Sequence, residues 1–203
     1  MGLGVQTRDD RKLHTDPATR DAFLRGMEST VFQLRNHPSI LYWTIFNEGW
    51  GQFDGAAAYE QLKALDDSRF IDTTSGWFWG APTDVDSHHV YFKPIILTST
   101  DKPLVLSEFG GYSYKPEGHV FNTKKTYGYR FFTRQDAFEE ALEALYVNEV
   151  VPAVKQGLCA AVYTQVSDVE DETNGLLSYD RRVCKVSEGR MTAIARQLQE
   201  AIQ

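Results

Sequence analysis

A chain of 203 residues with 42% hydrophobic and 24% charged side chains can build one domain, or a large piece of one, around a real core. Its formal net charge of -7, with no Lys/Arg-rich run, excludes the basic surface that nucleic acid or an anionic membrane requires. No stretch approaches the roughly 18 consecutive apolar residues of a membrane span.

Residues 1–15 are polar, carry no apolar signal-peptide core and read as a loop or disordered arm, so a cytoplasmic location is the expectation. Asp16-Pro17 starts a helix, with Asp as cap and Pro at the first helical position. Phe23, Met27, Val31 and Leu34 recur at helical spacing up to about Arg35. Asn36-His37-Pro38 breaks the helix, and His37 is expected to fix that turn. Ser39 to Phe46 is a mostly apolar and aromatic run, a buried strand ending in Asn47-Glu48-Gly49. Ala56–Leu65 reads as a short helix and Phe70–Thr74 as a strand ending in Ser75-Gly76 and the cluster Trp77-Phe78-Trp79.

Ser87–Tyr91 is a weaker strand, and Leu104–Ser107 a clean one ending in Glu108-Phe109-Gly110-Gly111. A long polar loop leads to a helix from Ala137 to about Val151, which Pro152 is expected to end or kink. Leu158–Thr164 is another buried strand, Asp168–Asn174 an acidic loop expected to be solvated, and Met191–Ile202 a closing amphipathic helix. Cys159 lies in an apolar run and is expected to be a buried, reduced thiol; two cysteines define no disulfide framework, and no metal-ligand spacing appears.

Strands alternate with helices or loops, and the clearest strands are apolar throughout, which is the pattern of a parallel α/β sheet covered on both faces. In such folds ligands sit at the carboxyl ends of strands. Here polar residues gather there: Asn47 and Glu48, Ser75, His89 and Tyr91, Glu108, and Gln165 with Asp168. Two glutamates at separate strand ends are the minimum equipment for cleaving a glycosidic bond, one as proton donor and one as nucleophile.

The run Arg35-Asn36-His37-Pro38-Ser39-Ile40, then Trp43, then Asn47-Glu48, resembles the acid/base signature of glycoside hydrolase family 2. Pro103-Leu104-Val105-Leu106-Ser107-Glu108-Phe109-Gly110 resembles that family's nucleophile strand, and Tyr163-Thr164-Gln165, Asp168-Val169-Glu170, Asn174-Gly175 and Tyr179-Asp180-Arg181 extend the likeness. The resemblance implies a (β/α)8 barrel, a TIM-barrel type that is incomplete here. If Ser39–Phe46 is strand four and Glu108 ends strand seven, residues 1–203 hold strands four to eight.

It further implies retention of configuration, with Glu48 as acid/base, Glu108 as nucleophile, Asn47 on the sugar 2-hydroxyl and Tyr91 on Glu108. His89 sits where a polar sugar contact is common, and only one of His88 and His89 can face the site. Trp77 and Trp79 are candidates for stacking on a sugar, Trp50 and Phe53 for shaping the aglycone side, and Gln165 and Asp168 for substrate contact.

No cofactor or metal is implied, because two carboxylates supply the chemistry. The implied partner is a carbohydrate. An open barrel edge would favour a homo-oligomer or the missing N-terminal half of the barrel. The sugar stays open among galactose, glucose, mannose, glucuronate and arabinose types. A non-catalytic carbohydrate-binding remnant, or one piece of a split glycosidase, stays open as the alternative. A serine hydrolase is set aside, since no G-x-S-x-G elbow is present.

Overall fold

The computed structural model describes residues 9–77, 80–98 and 100–202. The chain forms two compact units, Met1–His89 with Thr100–Val105, and Val90–Ser99 with Leu106–Gln203. No sheet among the described residues has more than three strands, so none closes into a barrel.

In the first unit, α1 spans Pro17–Leu34. Asp16 caps it by accepting from the Thr19 amide at 2.9 Å, and Pro17 occupies the first turn, where a missing N–H costs nothing. Strand β1 (Tyr42–Thr44) pairs in parallel with β2 (Phe70–Asp72), Trp43 opposite Ile71, and α2 (Gly55–Leu65) connects them. Val31, Trp43, Ile45, Phe46, Phe53, Ala58, Leu62 and Ile71 form the buried core beneath this β-α-β unit.

The core has a polar anchor. Buried Asp66 accepts from Trp43 Nε1 at 2.9 Å and from Arg69 Nη1 at 2.9 Å. Arg69 also donates to the carbonyls of Arg35, His37 and Ile40, which ties the Asn36-His37-Pro38 turn to the start of β2. His37 itself is exposed, and its backbone carries the turn through bonds to Leu34 and Ile40.

The apolar run from Ser39 is regular strand over Tyr42–Thr44 alone, yet its hydrogen bonding continues further. The amides of Ile45, Phe46 and Glu48 donate to the carbonyls of Asp72, Thr73 and Ser75, each at 3.0 Å. The two chain ends therefore stay in register to the functional residues while leaving regular strand geometry. Strand β3 (Asp86–Val90) follows, and the Asp86 amide donates to Pro103.

The second unit holds most of β4 (Leu104–Gly110), the short parallel pair β5 (Tyr112–Tyr114) and β6 (Arg130–Phe132), and β7 (Leu158–Thr164) beside β4. Helices α3 (Gln135–Leu145), α4 (Val151–Lys155) and α5 (Glu188–Ile202) pack together.

Pro152 does not end its helix. A π-helical turn at Tyr146–Val150 precedes it, and Pro152 falls in the first turn of α4, so helical chain continues to Lys155. The wider turn relieves the ring clash that proline causes inside a regular helix.

Cys159 is exposed rather than buried, with its thiol donating to the Gly157 carbonyl at 3.3 Å. Among the described residues β7 ends its sheet, with β4 on one side and α4 packed on it, so much of this apolar strand stays uncovered. Apolar composition predicted covered faces, and that cover is absent along β7.

The acidic loop after β7 is partly an interior structure. Asp168 is 1% exposed and accepts from Lys185 Nζ at 2.6 Å and from the Gly175 amide at 2.9 Å. Burial pushes the Asp168 carboxyl up and the Lys185 ammonium down, while their contact opposes both shifts. Lys185 also donates to the Thr173 carbonyl, so one amine binds both ends of the loop. Sequence reading missed this because the cation lies beyond the acidic run.

Candidate active site

One candidate carboxylate lies in each unit: Glu48 in the turn that follows β1, and Glu108 within β4, which runs on to Gly110 rather than ending at Ser107 as the sequence suggested.

In the first unit the tight turn after β1 places Glu48 at φ 53°, and the turn after β2 places Ser75 at φ 32°. Both are left-handed conformations that cost a non-glycine residue about 1–3 kcal/mol. Hydrogen bonds hold them: the Glu48 amide donates to the Ser75 carbonyl, and the Ser75 amide donates to Asp72 Oδ1, both at 3.0 Å. Asp72 is itself buried, and that burial raises its carboxyl above the usual range.

His89 links the two turns. Its Nδ1 lies 3.0 Å from Glu48 Oε1 and its Nε2 lies 3.0 Å from Ser75 Oγ. Its side chain is 0% exposed, so these partners decide which nitrogen carries the proton. With Glu48 ionised, Nδ1–H donates to the carboxylate and Nε2 accepts from the serine hydroxyl. With Glu48 protonated, the carboxyl donates to Nδ1 and Nε2–H donates to Ser75. In its neutral form the ring has a hydrogen-bonding match for either state of Glu48.

The other carboxylate oxygen accepts from Trp50 Nε1 at 3.1 Å. Gly76 makes room for the ring: at its φ of 89°, an added Cβ would stand 2.2 Å from His89 Cδ2. Trp77 meets the same imidazole edge-on at 6.3 Å. His88 points elsewhere, its Nε2 3.3 Å from Asp86 Oδ1. Asn47 is exposed and its carbonyl accepts from the Trp50 amide. Trp79 lies outside the described residues. Phe53 is buried in the apolar core, against Phe23 and Phe46.

In the second unit Glu108 stands on β4, half-buried between buried neighbours. The Tyr91 hydroxyl donates to Glu108 Oε2. Thr164 Oγ1, at the end of β7, lies 3.0 Å from the same hydroxyl and is left to donate to it. Burial first, and the Glu108 hydrogen bond second, push the Tyr91 phenol far above its ordinary range, so it remains a proton donor at any working pH. The Tyr129 ring stacks on Tyr91, centroids 3.8 Å apart and planes within 7°.

Gln165, next to Thr164, spends its side-chain amide on Asn174 Oδ1 at 2.9 Å. Asp168 is held by Lys185 and Gly175 as described, so its inner oxygen is committed to structure. Ser75, Thr164 and Tyr129 carry parts of these arrangements that the sequence did not single out as site residues. Ser75 and Thr164 at least end strands, a signal available in the sequence; Tyr129 lies in a polar loop with none.

An α/β chain with one carboxylate after a strand and another on a strand fits the barrel hydrolases. A family model described as "Glycosyl hydrolases family 2, TIM barrel domain" matches residues 2–183, and the chain belongs to that family. A Klebsiella pneumoniae β-galactosidase is 35% identical over 74 residues, 36% of this chain and 7% of that protein.

Among solved structures, a Faecalibacterium prausnitzii β-glucuronidase superposes with a TM-score of 0.56 at 15% identity, covering 88% of this chain and 35% of that one. An FMN-binding β-glucuronidase from strain L2-6 of the same organism gives 0.58 at 18% identity, covering 89% and 32%. At these identities the superpositions show a shared fold. The chain spans about a third of those enzymes.

Proposed function

We propose that this chain carries the catalytic carboxylates of a retaining glycosidase that removes a terminal β-linked sugar, with Glu48 as acid/base and Glu108 as nucleophile. The observation that carries the reading is the asymmetry of their partners. Glu108 accepts from a phenol that never gives up its proton, which suits a group that must stay ionised until it attacks. Glu48 faces an imidazole that matches either of its protonation states by changing tautomer, which suits a group that gives a proton in one step and takes one in the next.

In the first step Glu48 protonates the glycosidic oxygen while a Glu108 oxygen attacks the anomeric carbon. The aglycone leaves as an alcohol and a glycosyl ester forms on Glu108. In the second step Glu48, now ionised, takes a proton from water, the water oxygen attacks the anomeric carbon, and Glu108 is released as carboxylate. Tyr91 stabilises the returning charge. We assign the sugar 2-hydroxyl to Asn47, which is exposed beside Glu48, and the leaving-group side to Trp50, which donates to Glu48. The relatives' names make β-galactosides and β-glucuronides the first substrates to try.

The test is to incubate the 203-residue chain with an activated 2-fluoro-β-glycoside and map the label by mass spectrometry. A glycosyl ester on Glu108, abolished in E108Q, supports the assignment. Sugar binding with no ester and no turnover would favour a non-catalytic carbohydrate-binding remnant. Carboxyl groups of Glu48 and Glu108 about 5–5.5 Å apart in an experimental structure are what a retaining mechanism requires.

A further inference from the structure

We infer that Tyr129 is a positioning residue for the Tyr91–Glu108 pair, acting through its ring rather than its hydroxyl; the inference rests on Glu108 being the nucleophile. A phenol with one hydrogen-bonding atom can rotate and swing about its side-chain bonds. The Tyr91 hydroxyl bonds with Glu108 and Thr164, contacts that act on its oxygen rather than on the plane of its ring. Tyr129 acts on that plane, lying nearly parallel to the ring at 3.8 Å between centroids. Such a stack resists tilting of the ring and so sideways motion of the hydroxyl.

The position of Tyr129 is itself set by backbone. It immediately precedes β6, and its amide donates to the Gly111 carbonyl at 3.0 Å, adding one more rung beside the β5–β6 pair. Gly111 lies three residues after Glu108 in the sequence. At its φ of 61°, a Cβ would stand 2.3 Å from Tyr129 Cδ2, so this position admits the ring only without a side chain. The Glu-Phe-Gly-Gly segment thus presents the carboxylate and also the seat for the ring that steadies its donor.

The loop bearing Tyr129 is tied down further along. Thr173 bonds with both Ser113 and Thr126, its amide donates to the Tyr127 carbonyl, and Lys185 holds the Thr173 carbonyl. Phe92 and Tyr127 meet the Tyr129 ring edge-on, at 5.0 and 5.8 Å, and leave its face to Tyr91. The Tyr129 ring also helps to desolvate the Tyr91 phenol that donates to Glu108.

The experiment compares Y129A, Y129L and Y129F in the full chain, with Y91F and E108Q as controls. It reads kcat and KM on nitrophenyl β-galactoside and β-glucuronide, and the exchange of the Tyr91 hydroxyl proton with water by NMR, assigned by its loss in Y91F. Y129A should lower kcat at least about tenfold with little change in KM, since a misplaced catalytic group loses rate rather than binding. Y129F should recover most of that loss, and hydroxyl exchange should quicken in Y129A. If Y129A does not fold, Y129L, which fills space without a flat face, takes its place.

Tyr91 hydroxyl exchange unchanged in Y129A or Y129L would overturn the inference, with or without turnover. Hydrolysis that survives undiminished in E108Q would instead sink the nucleophile assignment, and the exchange measurement would still decide whether Tyr129 steadies Tyr91.

Discussion

The surroundings of Glu48 and of Glu108 are built from different materials. Glu48 sits on a left-handed turn, and its partners are an imidazole and an indole N–H. Glu108 sits on regular strand, and its partner is a phenol clamped by a second aromatic ring. The imidazole offers Glu48 a nitrogen that can donate or accept; the phenol donates to Glu108 and accepts from Thr164. The difference teaches that like side chains meet unlike hydrogen-bonding demands according to what faces them.

Substitutions sharpen or break that contrast. With Glu108 as the proposed nucleophile, E108Q should cost at least about 10⁴-fold in kcat on any substrate. E48Q should cost about 10²–10⁴-fold on substrates with poor leaving groups and much less on nitrophenyl glycosides, whose departure needs no proton. Equal losses on both substrate types would remove the division of labour.

Y91F should lower kcat about 10²-fold, as the loss of one preorganised donor to a developing charge does elsewhere. G76A should act on the Glu48 side alone: a methyl group forced toward the His89 ring at positive φ should destabilise the fold by about 2 kcal/mol or more in urea melts.

The smallest effect is in pH. Burial pushes the Asp66 carboxyl up, but hydrogen bonds from Ser68 and Trp43 and the charge of Arg69 outweigh it and bring it down to about 2. Its folded value lies below its unfolded one, so its contribution to stability is present above about pH 4 and is lost as pH falls through about 2. D66N should flatten acid unfolding in that window, read by circular dichroism.

Much of this was legible in the chain. Leu158–Thr164 is strand over the span its apolar run predicts, and Glu48 and Glu108 follow runs that no loop would carry. Tyr91 was placed by the family pattern. Contacts between residues distant in sequence were not legible. Nothing near Tyr129 marks it as stacked on a residue 38 positions earlier, and nothing near Asp168 announces Lys185. The span around Pro152 carried half its signal, since the proline is visible in the sequence but the π-turn that lets the helix run on to Lys155 leaves no periodic trace. Cys159 misled because composition records which faces a strand needs covered, and says nothing of what covers them.

The bond from the Glu48 amide to the Ser75 carbonyl has a practical use. That proton leaves for solvent only when the turn carrying the carboxylate comes away from its neighbour, so its deuterium uptake is a clock for local opening. A single backbone resonance therefore times how long the turn bearing Glu48 stays closed, in a protein with no substrate added and no side chain altered.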